Sequence, residues 1–143
     1  MGTSSDRLTR VNPSELHATP GYHHVTIAAA GPTAYLAGQC PLDSAGDLVG
    51  EGDLVAQVDQ VVSNALVALD AAGAAAADVV RSVIYVASPK RADLVRAWER
   101  LSASPLGPAF STASTLLGVA QLGYPGQLIE LDLTAVVSAP TER

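Results

Sequence analysis

Cysteine occurs once in this sequence, at Cys40, which excludes an internal disulfide and any zinc site built from several thiolates. Large aromatics are nearly as scarce, with one Phe and one Trp in 143 residues, so the apolar 48% is carried mainly by small side chains such as alanine and valine. Basic residues are few: 8 Lys and Arg stand against 14 Asp and Glu, for a net charge of −6. On average such a surface repels a nucleic-acid backbone or an anionic membrane. No stretch holds the ~18 uninterrupted apolar residues that a membrane span needs. The polar start, Met1 to Arg10, has no apolar segment after its charges and reads neither as a secretory signal nor as an anchor. The expectation is a cytoplasmic protein that engages neither nucleic acid nor membrane. A Gly-rich phosphate loop, a dinucleotide fingerprint and a G-x-S-x-G nucleophile elbow are all missing. His23 and His24 are adjacent, so a strand would point them to opposite faces and they cannot easily share a metal. Neither a metal nor a cofactor is expected.

What remains has the length of one domain. Residues 1–18 lack periodicity and read as a flexible N-terminal segment before a single domain over 19–138, and Ser138 to Arg143 reads as equally loose. Two short runs, His23–Ala29 and Thr33–Cys40, flank Gly31-Pro32 and suggest a hairpin. Over residues 53–72, Leu54, Val55, Val58, Val61, Val62, Ala65, Leu66 and Leu69 recur at helical spacing, while Gln57, Gln60, Asn64 and Asp70 fall elsewhere. Asp53 is placed to cap this helix and Gly73 to end it. Val79–Ala87 is β-branched and reads as a strand, and Ser88-Pro89 as the cap and first position of a second helix bearing Leu94, Val95, Trp98 and Leu101. Trp98 reads there as core. Ser111–Val119 and Gln127–Val137 read as closing strands around a Gly123–Gly126 turn. In the last strand Ile129, Leu131, Leu133 and Ala135 alternate with Glu130, Asp132 and Thr134, which puts Glu130 on an exposed or inter-subunit face. Two helices cannot cover both faces of such a sheet and are expected on one. Arg81 falls mid-strand beside Val79, Val83 and Tyr85, where a charge calls for an ion pair or an interface, a relocated anion contact being the lesser alternative. Free cysteines such as Cys40 are most often small buried hydrophobes.

This order, with Tyr35-Leu-Ala-Gly-Gln39, the helix ending Leu-Asp-Ala-Ala-Gly73, Val79-Val-Arg-Ser-Val-Ile-Tyr-Val86 and Leu128-Ile-Glu-Leu-Asp132, resembles the Rid (RidA/YjgF-type) family over about Tyr22 to Val137. The resemblance implies an α+β, chorismate-mutase-like domain: a mixed sheet with two helices on one face, assembled as a homotrimer with its sheets around a central axis and a small-molecule cleft at each subunit interface. It also implies hydrolysis of imines and enamines derived from amino acids, with an arginine holding the substrate carboxylate. Aligned through Leu122, Ser114 stands where that arginine would be. A neutral hydroxyl does not replace a bidentate guanidinium. Losing such a contact costs on the order of 2–5 kcal/mol, a hundredfold or more in carboxylate affinity. Leu116 and Val95 replace polar cleft residues and make the expected pocket more apolar. The resemblance retains Gly38, with Cys40 just past it, and Tyr22 at the cleft mouth; Glu130 is left to activate or orient water. Tyr22 and Glu130 are thus the candidate catalytic residues, and Gly38, Ser114, Leu116, Val95 and Cys40 the candidate substrate contacts. Two functions stay open: an enzyme acting on an imine, enamine or reactive carbonyl compound less anionic than an amino-acid imine, and a non-catalytic trimer that binds a small metabolite.

Overall fold

A computed structural model describes residues 7–137. Its strands are β1 (Leu8–Val11), β2 (Val25–Ala28), β3 (Thr33–Tyr35), β4 (Val79–Ala87), β5 (Ala113–Val119) and β6 (Ile129–Val136); its helices are α1 (Leu54–Ala72) and α2 (Arg91–Ala103). Short 3-10 turns at Ala76–Asp78 and Gly107–Phe110 lead into β4 and β5. The main sheet runs β3-β6-β4-β5, with β4 and β5 parallel and the other pairs antiparallel. No helix among the described residues is long and apolar enough to cross a membrane.

Both helices lie on one face. Val58, Val61, Ala65 and Leu69 of α1, with Ala97 and Leu101 of α2, bury against Ile84 and Val86 of β4 and Ile129, Leu131, Leu133 and Ala135 of β6. The other face carries Arg81, Val83 and Tyr85 of β4 opposite Thr134, Asp132 and Glu130 of β6, and Thr115 and Leu117 of β5. The caps of α1 are those the sequence predicts: Asp53 accepts from Ala56 N–H at 3.1 Å, and Gly73 closes the helix at φ +79°. Polar side chains of α1 reach back to the loop after β3. Asn64 Nδ2 donates to the carbonyls of Cys40 (2.9 Å) and Leu42 (2.8 Å), and so pins the segment that carries Gly38 and Cys40.

Five expectations need correction. Gly31-Pro32 does not close a hairpin, because β2 pairs with β1 while β3 pairs with β6. The partner of β2 lies inside the segment read as flexible, where Leu8–Val11 is too short for alternation to register; residues 1–6 of that segment, and the tail Ser138 to Arg143, lie outside the described residues. Gln57 is fully buried, not on a polar face, and its amide bridges the carbonyls of Gly50 (3.1 Å) and Gly126 (3.0 Å) and the N–H of Leu128 (2.7 Å). Helix α2 begins at Arg91 with Lys90 as its N-cap; Ser88 instead accepts from Lys90 N–H and donates to Asp93. Finally, Arg81 does not share a face with Val79. The register slips between them, so that Val79 is buried and Arg81 exposed, as an extra residue in one strand dictates. Arg81 has no ion pair among the described residues and lies 3.5 Å from the Thr115 hydroxyl.

Candidate functional site

The residues singled out in the sequence fall into two groups. Tyr22, Val95, Ser114 and Leu116 line one open cleft of about 780 Å³ between α2 and the edge strand β5, within the common range for small-molecule sites. The chain before β2 delivers Tyr22 to it. His23 N–H donates to the Thr112 carbonyl (3.3 Å) and Ala113 N–H to Thr26 Oγ1 (2.9 Å), so this arm is seamed along the start of β5. Tyr22 then meets Trp98 edge to face, with ring centroids 6.3 Å apart, and its hydroxyl lies 3.2 Å from His17 Nε2.

Ser114 lines the cleft with its hydroxyl engaged inward. It accepts from the buried Ser82 hydroxyl at 2.6 Å and lies 3.1 Å from the Thr112 carbonyl. Ser114 therefore offers the cleft no cation, and its polar group is spent on the protein's own backbone and side chains. Sequence reasoning missed Pro20, Thr115, Trp98 and Glu99 as lining residues. The last two were accessible, since Val95, Trp98 and Glu99 follow i, i+3, i+4 spacing and share a helix face. Trp98 does pack on the core, as predicted, but is only half-buried and shows part of its indole to the cleft.

Gly38, Cys40 and Glu130 form the second group, away from that lining. Glu130 Oε1 accepts from Gln127 Nε2 at 3.1 Å and from the Cys40 thiol at 3.4 Å. Gln127 is itself buried and held by the Tyr124 N–H and the Ile129 carbonyl, so its amide orients the carboxylate from a rigid base. Gly38 makes room: a Cβ there would fall 2.0 Å from Glu130 Oε2. Burial, and then the adjacent Glu130 carboxylate, push the Cys40 thiol up to about 11. At neutral pH it is a protonated donor, not a nucleophile. Gln127 is a positioning residue that the sequence reading did not single out, although it lies three residues before Glu130.

The two groups look to opposite sides of the sheet. Ser114 pairs with Ser82 on the helix-covered face, whereas Glu130 projects with Asp132 and Thr134 from the open one. Tyr22 and Glu130 are therefore not brought together within one chain as described. No grouping of His, Cys, Asp and Glu that could hold a metal occurs among the described residues.

Comparisons with known proteins agree with this architecture. The family model for Endoribonuclease L-PSP matches residues 13–137. YyfB of Yersinia pestis, from the conserved Rid protein family, is 33% identical, with a TM-score of 0.82 over 92% of this chain and 99% of its own. Rv2704 of Mycobacterium tuberculosis, from the YjgF/YER057c/UK114 family, is 30% identical over 91% of this chain and 99% of its own, at a TM-score of 0.58. The yeast protein YEO7, 23% identical over 92% of this chain and 99% of its own at a TM-score of 0.65, shares the fold. No curated protein matches. With the fold, the matched span and these relatives in agreement, the chain belongs to the Endoribonuclease L-PSP family, also known as the Rid or YjgF family.

Proposed function

We propose that this protein is a homotrimeric hydrolase of small imines or enamines that lack a free carboxylate, working in clefts shared between subunits. The observation that carries the reading is the held carboxylate: Glu130, oriented by Gln127 and Cys40 over a glycine that leaves it space. Imine hydrolysis adds water to the C=N carbon and moves a proton to nitrogen before the C–N bond breaks, leaving a carbonyl compound and an amine. One carboxylate serves both steps, accepting a proton from water and returning it to the departing nitrogen. The split between the cleft of Tyr22, Val95 and Leu116 and the Glu130 group supports a shared site, since a neighbouring subunit's Glu130 would complete a cleft that its own chain leaves without one.

The loss of an anion anchor at Ser114 supports an uncharged or cationic substrate over an amino-acid imine. It equally favours the second reading, a binding trimer without catalysis. RNA cleavage, named in the family's description, draws no support from a cleft lined by a carboxylate and no cation. The test is the decay of imines generated in situ from amino acids and from uncharged amines, with wild-type protein and Glu130→Gln. Faster decay of the uncharged set is expected, with Glu130→Gln losing roughly a hundredfold or more of that acceleration, as removal of a general acid–base group does. Acceleration that survives Glu130→Gln refutes the role of Glu130, and no acceleration of either set leaves the binding reading.

A further inference from the structure

We infer that the cleft between α2 and β5 selects a cationic nitrogen, a protonated amine or iminium, carried on a small aliphatic body. The inference deepens the proposed function and, where it concerns turnover, rests on it. Three features of the lining carry it. Among the described residues, the only ionisable side chain in the lining apart from Tyr22 is the carboxylate of Glu99, exposed on α2 and one turn from Val95. Trp98 and Tyr22 supply aromatic rings next to it. Their interplanar angle is 89°, and although Trp98 also meets Phe110 and Tyr22 also meets His24 edge-on, both rings keep surface in the cleft lining, where a cation can approach them. Val95 and Leu116 provide an apolar wall for an alkyl group.

Two of the arginines nearby, Arg96 and Arg100, are ion-paired elsewhere. Arg100, next to Glu99 in sequence, is held by both oxygens of Asp59 at 2.8 Å. Arg96 reaches Asp93 at 3.5 Å, and Arg81, which projects from the open face of the sheet and is not itself in the lining, comes no nearer than its 3.5 Å contact with the hydroxyl of the lining residue Thr115. His17 is engaged with the Tyr22 hydroxyl. A carboxylate entering this cleft meets Glu99 with no compensating charge in the lining, whereas a cation gains both the carboxylate and the rings. The same preference suits hydrolysis. A protonated C=N carbon is more open to attack by water, and the reaction balances as iminium plus water giving carbonyl compound plus ammonium: the nitrogen is cationic in substrate and product, gives up its charge when water adds to carbon, and takes a proton back before the C–N bond breaks.

Trp98 is the chain's single tryptophan and lines the cleft, so its fluorescence reads occupancy directly. Full-length protein is titrated at pH 8 with n-pentylammonium and with pentanoate, in wild type and in Glu99→Gln. The ammonium is expected to bind about tenfold more tightly than the carboxylate, and Glu99→Gln to narrow the ratio to about threefold, a modest change because Glu99 is exposed. Equal binding, tighter binding of pentanoate, or a ratio that Glu99→Gln leaves untouched overturns the inference. Imine decay measured on the same samples separates the two ideas. Cation selectivity without turnover keeps the inference and removes the hydrolase; turnover without cation selectivity does the reverse.

Discussion

At the scale of single residues, the Cys40 thiol donates to the Glu130 carboxylate, and burial together with that carboxylate holds the thiol protonated. A thiol held at about 11, against an ordinary value of 9.0, stays protonated through pH 9 and ionises only toward pH 11. Because the folded value is the higher one, the unfolded chain gives up this proton first. The contribution to stability is therefore intact below pH 9 and is lost as pH rises through 11. Alkylation by iodoacetamide follows the thiolate, so it should be slow at pH 8 and rise steeply only above pH 9. Glu130→Gln should shift that rise part of the way back toward 9, since it removes the smaller, coulombic cause and leaves burial in place. A profile with its midpoint at the value of an ordinary cysteine would show that the thiol does not lie against Glu130 in solution.

At the scale of elements, the same logic explains what was legible in the sequence. Helix α1 and strand β4 announce themselves because repeated apolar residues at period 3.6, or a β-branched run, average over many positions. Strand β1 has four residues and β3 three, so their pairing rests on partners far along the chain that no local pattern encodes. Gln57 was illegible for a related reason: a glutamine counts as polar until the carbonyls of Gly50 and Gly126 and the N–H of Leu128 are brought around it. Glu130 and Gly38 could be placed by alternation and resemblance, yet Gln127 is aimed by the turn before β6, and the Cys40 contact depends on the loop that Asn64 pins. Gln57→Leu keeps volume but strands three part-buried backbone groups around a buried side chain, each worth up to about 1–3 kcal/mol unsatisfied, part of which water entry recovers. We expect a loss of about 2–4 kcal/mol in urea unfolding with the slope unchanged. A loss below about 0.5 kcal/mol, the level of an ordinary surface change, would mean that Gln57 does not fasten α1 to the loops before β6.

At the scale of the whole molecule, the sheet presents one face packed by helices and one left open, and Glu130 stands on the open face beside Tyr85 of β4, whose other neighbour is Leu117 of β5. Leu117 is 42% exposed in the single chain, an apolar side chain with no cover of its own. If the proposed trimer supplies that cover, sedimentation should find a mass near three times 14.6 kDa. Leu117→Glu tests what assembly is for. Exposure makes the substitution tolerable in the isolated fold, but in an interface it buries a carboxylate near Glu130, and both like-charge repulsion and desolvation oppose closure. The expected result is a folded monomer, unchanged in far-ultraviolet circular dichroism, that has lost imine turnover because the cleft of one chain no longer meets the carboxylate of another. Binding of pentylammonium should persist in that monomer, weakened but measurable, since Trp98, Tyr22 and Glu99 all belong to one chain. A monomer that retained full turnover would show that each chain completes its own site and would sink the shared-cleft reading.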